Sequence, residues 1–453
     1  MSWIDKILQY LPSVKPPYTH LTPKERLKNT IIVIAIYSLL SSIPIFGISQ
    51  KVSQRFIEFM WIFGSHLGTL ATIGVTPVIL AGLFLQLMIF SGVLGLDIYS
   101  EEGRKKYDSY YKLLAIVFLI LQSLSFMLSG NIIPDYNLPI PIWAIYIIIF
   151  LQLFMGGLLI ILLDDFSLKY GLTSGINLII FVSISMSIAL RIFNPIPLPQ
   201  YITYGLYFPS GLIPQAILSF INGNFSLAMG YTLVVILTFA VLALVTYLQS
   251  IQIEIPLIYI NIGGRVMKYP INLLYTSVIP AIFLYGILIW IRGIFERNPN
   301  SILYRILTPP NLTINLSQYG LSYLLDPINI LHVIVYLSIF ILGGILFSYL
   351  WVISAGMDAK SIAKQLQSLP IQTLRYRDPR IIESTLEKYI NPLSYFSGLL
   401  IGLIAAISDI FGIAISGISL LLLVVIAVQI YNDIERNGAI PYVPLVGKYL
   451  SKR

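Results

Sequence analysis

Residues 142–163 read IWAIYIIIFLQLFMGGLLIILL and contain no charged side chain. A helix needs about 20 mostly apolar residues to cross the hydrocarbon of a bilayer, so this stretch predicts a membrane span. The whole chain is 57% hydrophobic and only 11% charged, against about 25% charged residues in an ordinary soluble domain. Similar stretches predict ten spans, near residues 30–48, 70–93, 111–130, 139–163, 175–193, 228–249, 270–293, 330–353, 391–408 and 412–432. The sequence therefore predicts an all-α membrane protein with about ten transmembrane helices.

Lys and Arg fall mainly on one side of these spans. With the N-terminus inside, the inner segments hold 22 of the 28 Lys and Arg, and the outer loops hold 6. Cytoplasmic loops are enriched in these residues, so we expect both termini on the cytoplasmic side of the cell (plasma) membrane. Most of the net charge of +8 then faces the cytoplasm. There it either sets orientation and meets anionic lipid, or binds a polyanion such as RNA.

A linker rich in Pro and Tyr, residues 194–211, divides the spans five and five, because no helix survives that density of proline. We expect two pseudo-symmetric halves, 1–193 and 212–453, around a central pore. Pro77 in span two and Pro280 in span seven occupy matching places. Such a pair is typical of a functional axis between inverted repeats, although each proline could also merely kink its helix.

Two segments too short to cross the membrane lie ahead of the first and second predicted spans. Apolar residues recur at helical spacing in the first eleven residues, which predicts an amphipathic helix on the membrane surface; they are Trp3, Ile4, Ile7, Leu8 and Leu11. Residues 53–68 are apolar but too short to cross, and they contain Glu58 and His66. This segment fits either a half-helix that folds back into a cavity or a helix that rests on the outer surface.

Catalytic constellations are not evident in the sequence. The absence of Cys excludes disulfides and thiolate metal sites, and His20, His66 and His332 have no ligand spacing. Asp164 and Asp165 are adjacent, so they point in different directions on a helix, and neither has an obvious Lys or His partner. Gly171 is expected to end that helix in the left-handed conformation. We expect no enzyme, no metal and no cofactor.

The predicted spans contain almost no ionisable residues. Their main polar groups are amides, namely Gln86, Gln122, Gln152 and Asn177. Many ion-coupled transporters place carboxylates or histidines inside the membrane, so a passive conduit is the favoured interpretation. The alternative is a secondary transporter with inverted repeats.

Two stretches, residues 69–87 and 169–176, resemble the second-span and fifth-span signatures of the SecY family of protein-conducting channels, in its archaeal form. Five shorter stretches are similar as well, at residues 253–256, 268–271, 275–280, 326–327 and 388–392. The resemblance covers nearly the whole chain. It implies an hourglass pore, a plug, and a lateral gate of spans two and three against seven and eight.

The resemblance also implies roles for particular residues. The plug would include Phe56, Ile57, Phe59, Met60, Trp61, Ile62, Phe63, Gly64 and Leu67. The constriction ring would be Val75, Ile79, Ile176, Ile180, Ile282 and Leu422. An apolar ring resists wetting and so blocks ions while an extended chain can pass. For each ring residue alone, ordinary packing is the simpler explanation.

The lateral gate would include Gln86, Gln122 and Pro280, although Trp290 stands near the place where the family has an Asn partner for Gln122. Ribosome contact is implied for Arg265 and Lys268 in the loop Gln249–Lys268, and for Arg375 and Arg377 in the loop Ser354–Asn391. The partners implied are a SecE-like subunit, a small single-span third subunit, the ribosome, polypeptides that carry signal sequences, and membrane lipid.

Overall fold

The computed structural model describes most of the chain. The described residues are 12–49, 64–66, 68–90, 93–96, 101–128, 132–197, 209–262, 265–276, 278–295, 301–368 and 379–442. Several predicted features lie outside them. These are the N-terminal surface helix, most of the Pro-rich linker, and the two basic residues Arg375 and Arg377. Every predicted plug residue other than Gly64 also lies outside them.

Each of the ten predicted spans overlaps a helix. In span order the helices are α1 (Pro23–Ser42), α2 (Thr76–Phe90), α3 (Glu101–Leu128), α4 (Ile142–Tyr170), α5 (Gly175–Phe193), α7 (Phe225–Ser250), α8 (Ile279–Phe295), α12 (Pro327–Ser354), α14 (Pro379–Phe411) and α15 (Gly417–Arg436). Among the described residues, seven helices are long and apolar enough to cross a membrane. The other three are α2 and α8, which are shorter, and α1, whose first turns are charged. The chain is thus a multi-pass helical membrane protein, as predicted.

Shorter elements connect the spans. They are α6 (Leu212–Ile221), α9 (Ile302–Leu307), α10 (Leu312–Tyr319), α11 (Ser322–Leu325) and α13 (Ala359–Ser368), with one 3-10 turn at Ile440–Tyr442. An antiparallel hairpin of β1 (Gln252–Ile262) and β2 (Arg265–Asn272) follows α7. This hairpin occupies most of the predicted loop Gln249–Lys268. Its signal is the Gly-Gly pair between two runs rich in β-branched residues.

α1 begins seven residues before the predicted span. Thr22 and Glu25 form a capping box, in which the side chain of each residue accepts from the backbone amide of the other. Hydrogen bonds from the Thr22 amide and then its hydroxyl hold the pKa of Glu25 below its usual range. The helix ends before Ile43, which is extended because Pro44 follows it.

Pro77 and Pro280 do not kink their helices. α2 begins at Thr76 and α8 begins at Ile279, so each proline is the second residue of its helix. A proline there loses no helical hydrogen bond, because the first amides of a helix have no partner within it. The two prolines therefore start matching helices, and the kink interpretation is wrong for both.

The predicted loop Ser354–Asn391 is also partly helical. It contains α13 and the first turns of α14. The helix α14 begins at Pro379 and continues past Pro392, which lies inside it. Ile382, Leu386 and Ile390 recur every fourth residue and are buried against the β-hairpin and α13. The spacing explains the helix, because it places three apolar side chains on one face.

The chain divides by its contacts into two compact units. Unit 1 is Met1–Ser185 with Ile426–Arg453, and unit 2 is Met186–Val425. The end of α15 belongs to unit 1 because Asp433 accepts from Thr173, and Asn437 bonds to Arg26 and to the Leu172 carbonyl. The halves 1–193 and 212–453 rest on repeat symmetry, a separate property, and stay a prediction.

Glycines allow the helices α12 and α14 of unit 2 to pack backbone against backbone. A Cβ added to Gly398 of α14 would lie 2.6 Å from the carbonyl oxygen of Gly344 of α12. Nearby, the buried hydroxyl of Thr276 hydrogen-bonds to the hydroxyl of Ser348 at 3.2 Å and to that of Ser397 at 2.9 Å. Glycines that let backbones approach, and hydroxyls that bridge helices, are typical of membrane interiors.

Candidate pore and gate residues

Val75 and Ile79 are joined by a hydrogen bond at the start of α2. The Ile79 amide donates to the Val75 carbonyl at 3.1 Å, so the two side chains lie one helical turn apart on one face. Val75 is fully buried and Ile79 is partly exposed. Just before them, Gly74 has a φ of +62°, which glycine adopts at little cost. The chain thus turns sharply into the start of α2, where these two predicted ring residues lie.

Ile176 and Ile180 lie one turn apart at the start of α5. Ile180 is buried, and the partly exposed Ile176 packs against a buried cluster of unit 1 that includes Ile73 and Val78. The start of α5 therefore packs on the same buried cluster to which Ile73 and Val78 belong. Four of the six predicted ring residues belong to this unit.

Ile282 and Leu422 belong to unit 2. The Ile282 amide donates to the Val278 carbonyl at 3.1 Å, which is the same bond that joins Ile79 to Val75 in α2. Ile282 is partly exposed, as Ile79 is, and Leu422 lies in the second turn of α15 and is buried. The starts of α2 and α8 are therefore equivalent in sequence, hydrogen bonding and exposure.

Residues 64–66 lie near the end of the predicted plug segment and are anchored to other helices of unit 1. The Tyr37 hydroxyl of α1 donates to the Gly64 carbonyl at 2.9 Å, and Ser183 Oγ of α5 lies 3.4 Å from Nε2 of His66. A side chain at Gly64 would collide with Ile179, because a Cβ there would lie 2.6 Å from Cγ2 of Ile179. The end of the predicted plug is thus held between α1 and α5.

The predicted gate residues occupy different environments. Pro280 is buried in the first turn of α8, and Gln86 of α2 is partly exposed. Gln122 of α3 has a buried Oε1 that accepts no hydrogen bond from the residues that the structure describes. A buried acceptor without a partner is costly, so the donor for this oxygen is expected outside the described residues.

Asp164 and Asp165 serve different contacts at the junction of α4 and α5. Asp165 forms ion pairs with Lys169 at 2.8 Å and Lys112 at 3.4 Å, and it accepts from the Val14 amide. The expectation that neither Asp has a Lys partner is therefore wrong. The i, i+4 spacing of Asp165 and Lys169 was the signal in the sequence.

The turn after α4 also differs from the prediction. Gly171 has a φ of −91°, so it is not left-handed. Glycine is needed there for space, because a Cβ would lie 2.6 Å from the Ser167 carbonyl oxygen. The helix ends in an extended residue instead.

The basic residues implied in ribosome contact are described only in part. The backbones of Arg265 and Lys268 lie in β2, opposite Ile262 and Pro256 respectively.

Among the described residues, no group of three His, Cys, Asp or Glu side chains could hold a metal ion. His332 instead bonds through Nε2 to the Thr308 carbonyl at 2.9 Å.

Comparisons with known proteins all point to one family. The sequence model of the SecY family matches residues 69–431. The chain is 32% identical to the protein translocase subunit SecY of Sulfolobus acidocaldarius, over 100% of this chain and 99% of that protein. It is 31% identical to the protein translocase subunit SecY of Methanocaldococcus jannaschii, over 98% of this chain and 99% of that protein.

Solved structures agree with these relatives. A structure described as that of a protein conducting channel is similar, with a TM-score of 0.69 and 28% identity over 95% of this chain and 96% of that one. Sec61 in the canine ribosome-channel complex from the endoplasmic reticulum gives a TM-score of 0.67 at the same identity and coverage. None of these matches supports the secondary-transporter alternative. The chain belongs to the SecY family of protein translocase subunits, which are translocation channels and not enzymes.

Proposed function

We propose that the six apolar side chains Val75, Ile79, Ile176, Ile180, Ile282 and Leu422 form the constriction of this channel. One observation carries the proposal. The helices α2 and α8 each begin one residue before a proline, Pro77 and Pro280 respectively. In each helix the isoleucine two residues after the proline donates its amide to the carbonyl of the valine two residues before the proline. Two repeats that start their helices identically are suited to placing equivalent side chains at one level.

The chemistry of the six residues suits a seal. An apolar constriction is poorly wetted, so hydrated ions do not pass, while branched side chains can move aside for an extended polypeptide. The pore would conduct secretory chains across the membrane and release membrane proteins sideways into lipid. The driving force then comes from a partner, because the channel itself is a passive conduit.

The segment before α2 would act as the plug, with Phe56, Ile57, Phe59–Phe63, Gly64 and Leu67 as its residues. The Tyr37 and Ser183 contacts with Gly64 and His66 would hold the end of this segment that leads into α2. Gln86, Gln122 and Pro280 would line the lateral gate. The buried Oε1 of Gln122, which accepts no hydrogen bond within the described part of the chain, supports this role, because a polar group there can accept from a passing chain.

The proposed orientation places both termini in the cytoplasm of a cell whose plasma membrane contains the channel. The 22 to 6 division of Lys and Arg supports it. The proposed partners are the ribosome, a SecE-like subunit, a small third subunit and polypeptides with signal sequences. The similarity to Sec61 of a ribosome-channel complex supports the ribosome as a partner, with Arg265, Lys268, Arg375 and Arg377 as contacts.

Removal of apolar volume from the ring tests the proposal. The triple variant Ile79→Gly, Ile176→Gly and Ile282→Gly should leak ions across reconstituted bilayers, because the widened constriction fills with water. The matched control changes three exposed isoleucines of other helices, Ile147, Ile236 and Ile334, to Gly. Equal recovery of folded protein, with leak from the ring variant alone, supports the ring. A ring variant as tight as the parent would refute it.

A further inference from the structure

The two hairpins that lead into the ring helices α5 and α15 share a sequence. Ser174-Gly175-Ile176 precedes and begins α5, and Ser416-Gly417-Ile418 precedes and begins α15. Each helix begins at the glycine of this motif. The match pairs Ile180 with Leu422, because each is five residues after its glycine. Both side chains are buried, and both belong to the proposed constriction.

A buried carboxylate from the preceding helix bonds to each of these helix starts. Asp164 of α4 is 3% exposed, and its Oδ1 accepts from the Ile176 amide and the Ser174 hydroxyl, both at 3.0 Å. Asp409 of α14 is 5% exposed, and its Oδ1 accepts from the Gly417 amide at 2.9 Å. An aspartate of the preceding helix therefore accepts from a backbone amide of the same motif within each unit. Asp164 lies 11 residues before the glycine of its motif, and Asp409 lies 8 residues before the glycine of its own.

The glycine in each motif makes this contact possible. A Cβ added to Gly175 would lie 2.5 Å from Cα of Asp164, and one added to Gly417 would lie 2.6 Å from Cβ of Ser408. Any side chain would push the helix start away from the preceding helix and stretch the carboxylate contact. Close approach and hydrogen bonding thus act together on the first turn.

We propose that Asp164 and Asp409 are matched positioning residues, which fix the rotation of α5 and α15 and so aim Ile180 and Leu422 into the constriction. A helix has 3.6 residues per turn, so a start displaced by one residue rotates every later side chain by about 100°. The inference rests on the proposed ring. It adds two acidic residues that touch neither the pore nor the translocating chain.

Ordinary helix capping is the competing explanation, since a cap stabilises a helix without aiming it. Asp326 is a control for this within the same chain. Its side chain accepts from the Ile328 amide at 3.0 Å and caps α12, a helix without a proposed ring residue. Loss of the Asp326 cap should affect stability but not the seal.

Ion leak from the full chain, reconstituted with its co-purifying subunits, distinguishes the two explanations. We expect Asp164→Ala and Asp409→Ala to raise leak on the order of fivefold to tenfold, the effect of losing a buried cap on an equilibrium. Asp164→Asn and Asp409→Asn keep the accepting oxygen and should stay near the parent. The inference would be overturned if Asp326→Ala leaked as much as Asp164→Ala. It would also be overturned if the Asn variants leaked as much as the Ala variants.

A second measurement covers poor folding of the Ala variants. Because the chain lacks Cys, single Cys residues at positions 178–182 can map the pore-facing side of α5 with an impermeant thiol reagent. The mapping uses the background with Ile79→Gly and Ile282→Gly, in which the widened constriction is expected to admit water and the reagent. Asp164→Ala or Gly175→Ala should move the labelled position from Ile180 to a neighbouring residue. Labelling that stays at Ile180, or spreads evenly as in an unfolded helix, would overturn the inference.

The leak measurements separate this inference from the ring proposal on which it rests. If the Ile→Gly ring variant itself does not leak, the ring proposal fails. If the ring variant is the only one that leaks, the ring proposal stands and the positioning role fails.

Discussion

The hydroxyl of Tyr37 in α1 donates a 2.9 Å hydrogen bond to the backbone carbonyl of Gly64. Tyr37 is almost fully buried, so this bond fixes a backbone group of the segment that precedes α2. Its position ties the base of the proposed plug to a helix that carries no ring residue.

Tyr37→Phe should therefore loosen the base of the plug. The change leaves a buried carbonyl without its donor, which costs about 1–3 kcal/mol. We expect a lower thermal midpoint, higher ion leak, and faster proteolysis near Gly64. Tyr247→Phe is the control, because Tyr247 is exposed. If the two variants behave alike, the Tyr37 bond does not hold the segment.

The close packing of α12 and α14 should not tolerate one added methyl group. In Gly398→Ala the new Cβ meets the Gly344 carbonyl at 2.6 Å, and overpacking of this kind costs about 1–3 kcal/mol. The thermal midpoint in detergent measures the destabilisation. Gly95→Ala is the control, because no atom of the described residues lies within 4 Å of a Cβ at Gly95. An unchanged midpoint for Gly398→Ala would contradict the packing argument.

The proposed cytoplasmic location of the α13 region and the C-terminus predicts a labelling pattern. Ser361→Cys and Ser451→Cys should react with an impermeant thiol reagent in inside-out vesicles and not in right-side-out vesicles. Leu321→Cys, at an exposed position in the loop between spans seven and eight, should show the reverse. Reaction of Ser361→Cys only from outside would refute the orientation.

The basic residues Arg375 and Arg377 should contribute to ribosome binding. Reversal of both charges to Glu should weaken binding, and it should flatten the log–log salt dependence by about 0.7–0.9 for each phosphate group that the variant no longer neutralises. Reversal of Lys24 and Lys28 makes the same change in net charge and serves as the control. Identical slopes for both double variants would leave orientation as the only role of Arg375 and Arg377.

The sequence predicts the spans well because apolar length is a strong local signal, and all ten overlap a helix. The first turns of α14 and the β-hairpin were not predicted. Ile382, Leu386 and Ile390 follow a helical period inside a basic stretch, and the β-hairpin alternates around a Gly pair. In both cases the periodic segment is short and interrupted by charged residues, so its signal is weaker than that of a span.

The proposed ring residues could not have been singled out from physical patterns alone. Ile79 and Ile180 are apolar residues in apolar helices, so neither composition nor period separates a pore-facing side chain from a packed one. Their assignment came from the resemblance. The role of Asp164 was not predicted either, because it depends on a contact with Ile176, twelve residues away, that only the folded hairpin reveals.

The placement of Pro77 and Pro280 in the first turns of α2 and α8 has a consequence for folding. Proline fixes its φ near the helical value before any helical hydrogen bond has formed, so each helix has one preferred starting point. A change in the length of the preceding segment is then expected to leave the first residue of α2 and of α8 unchanged.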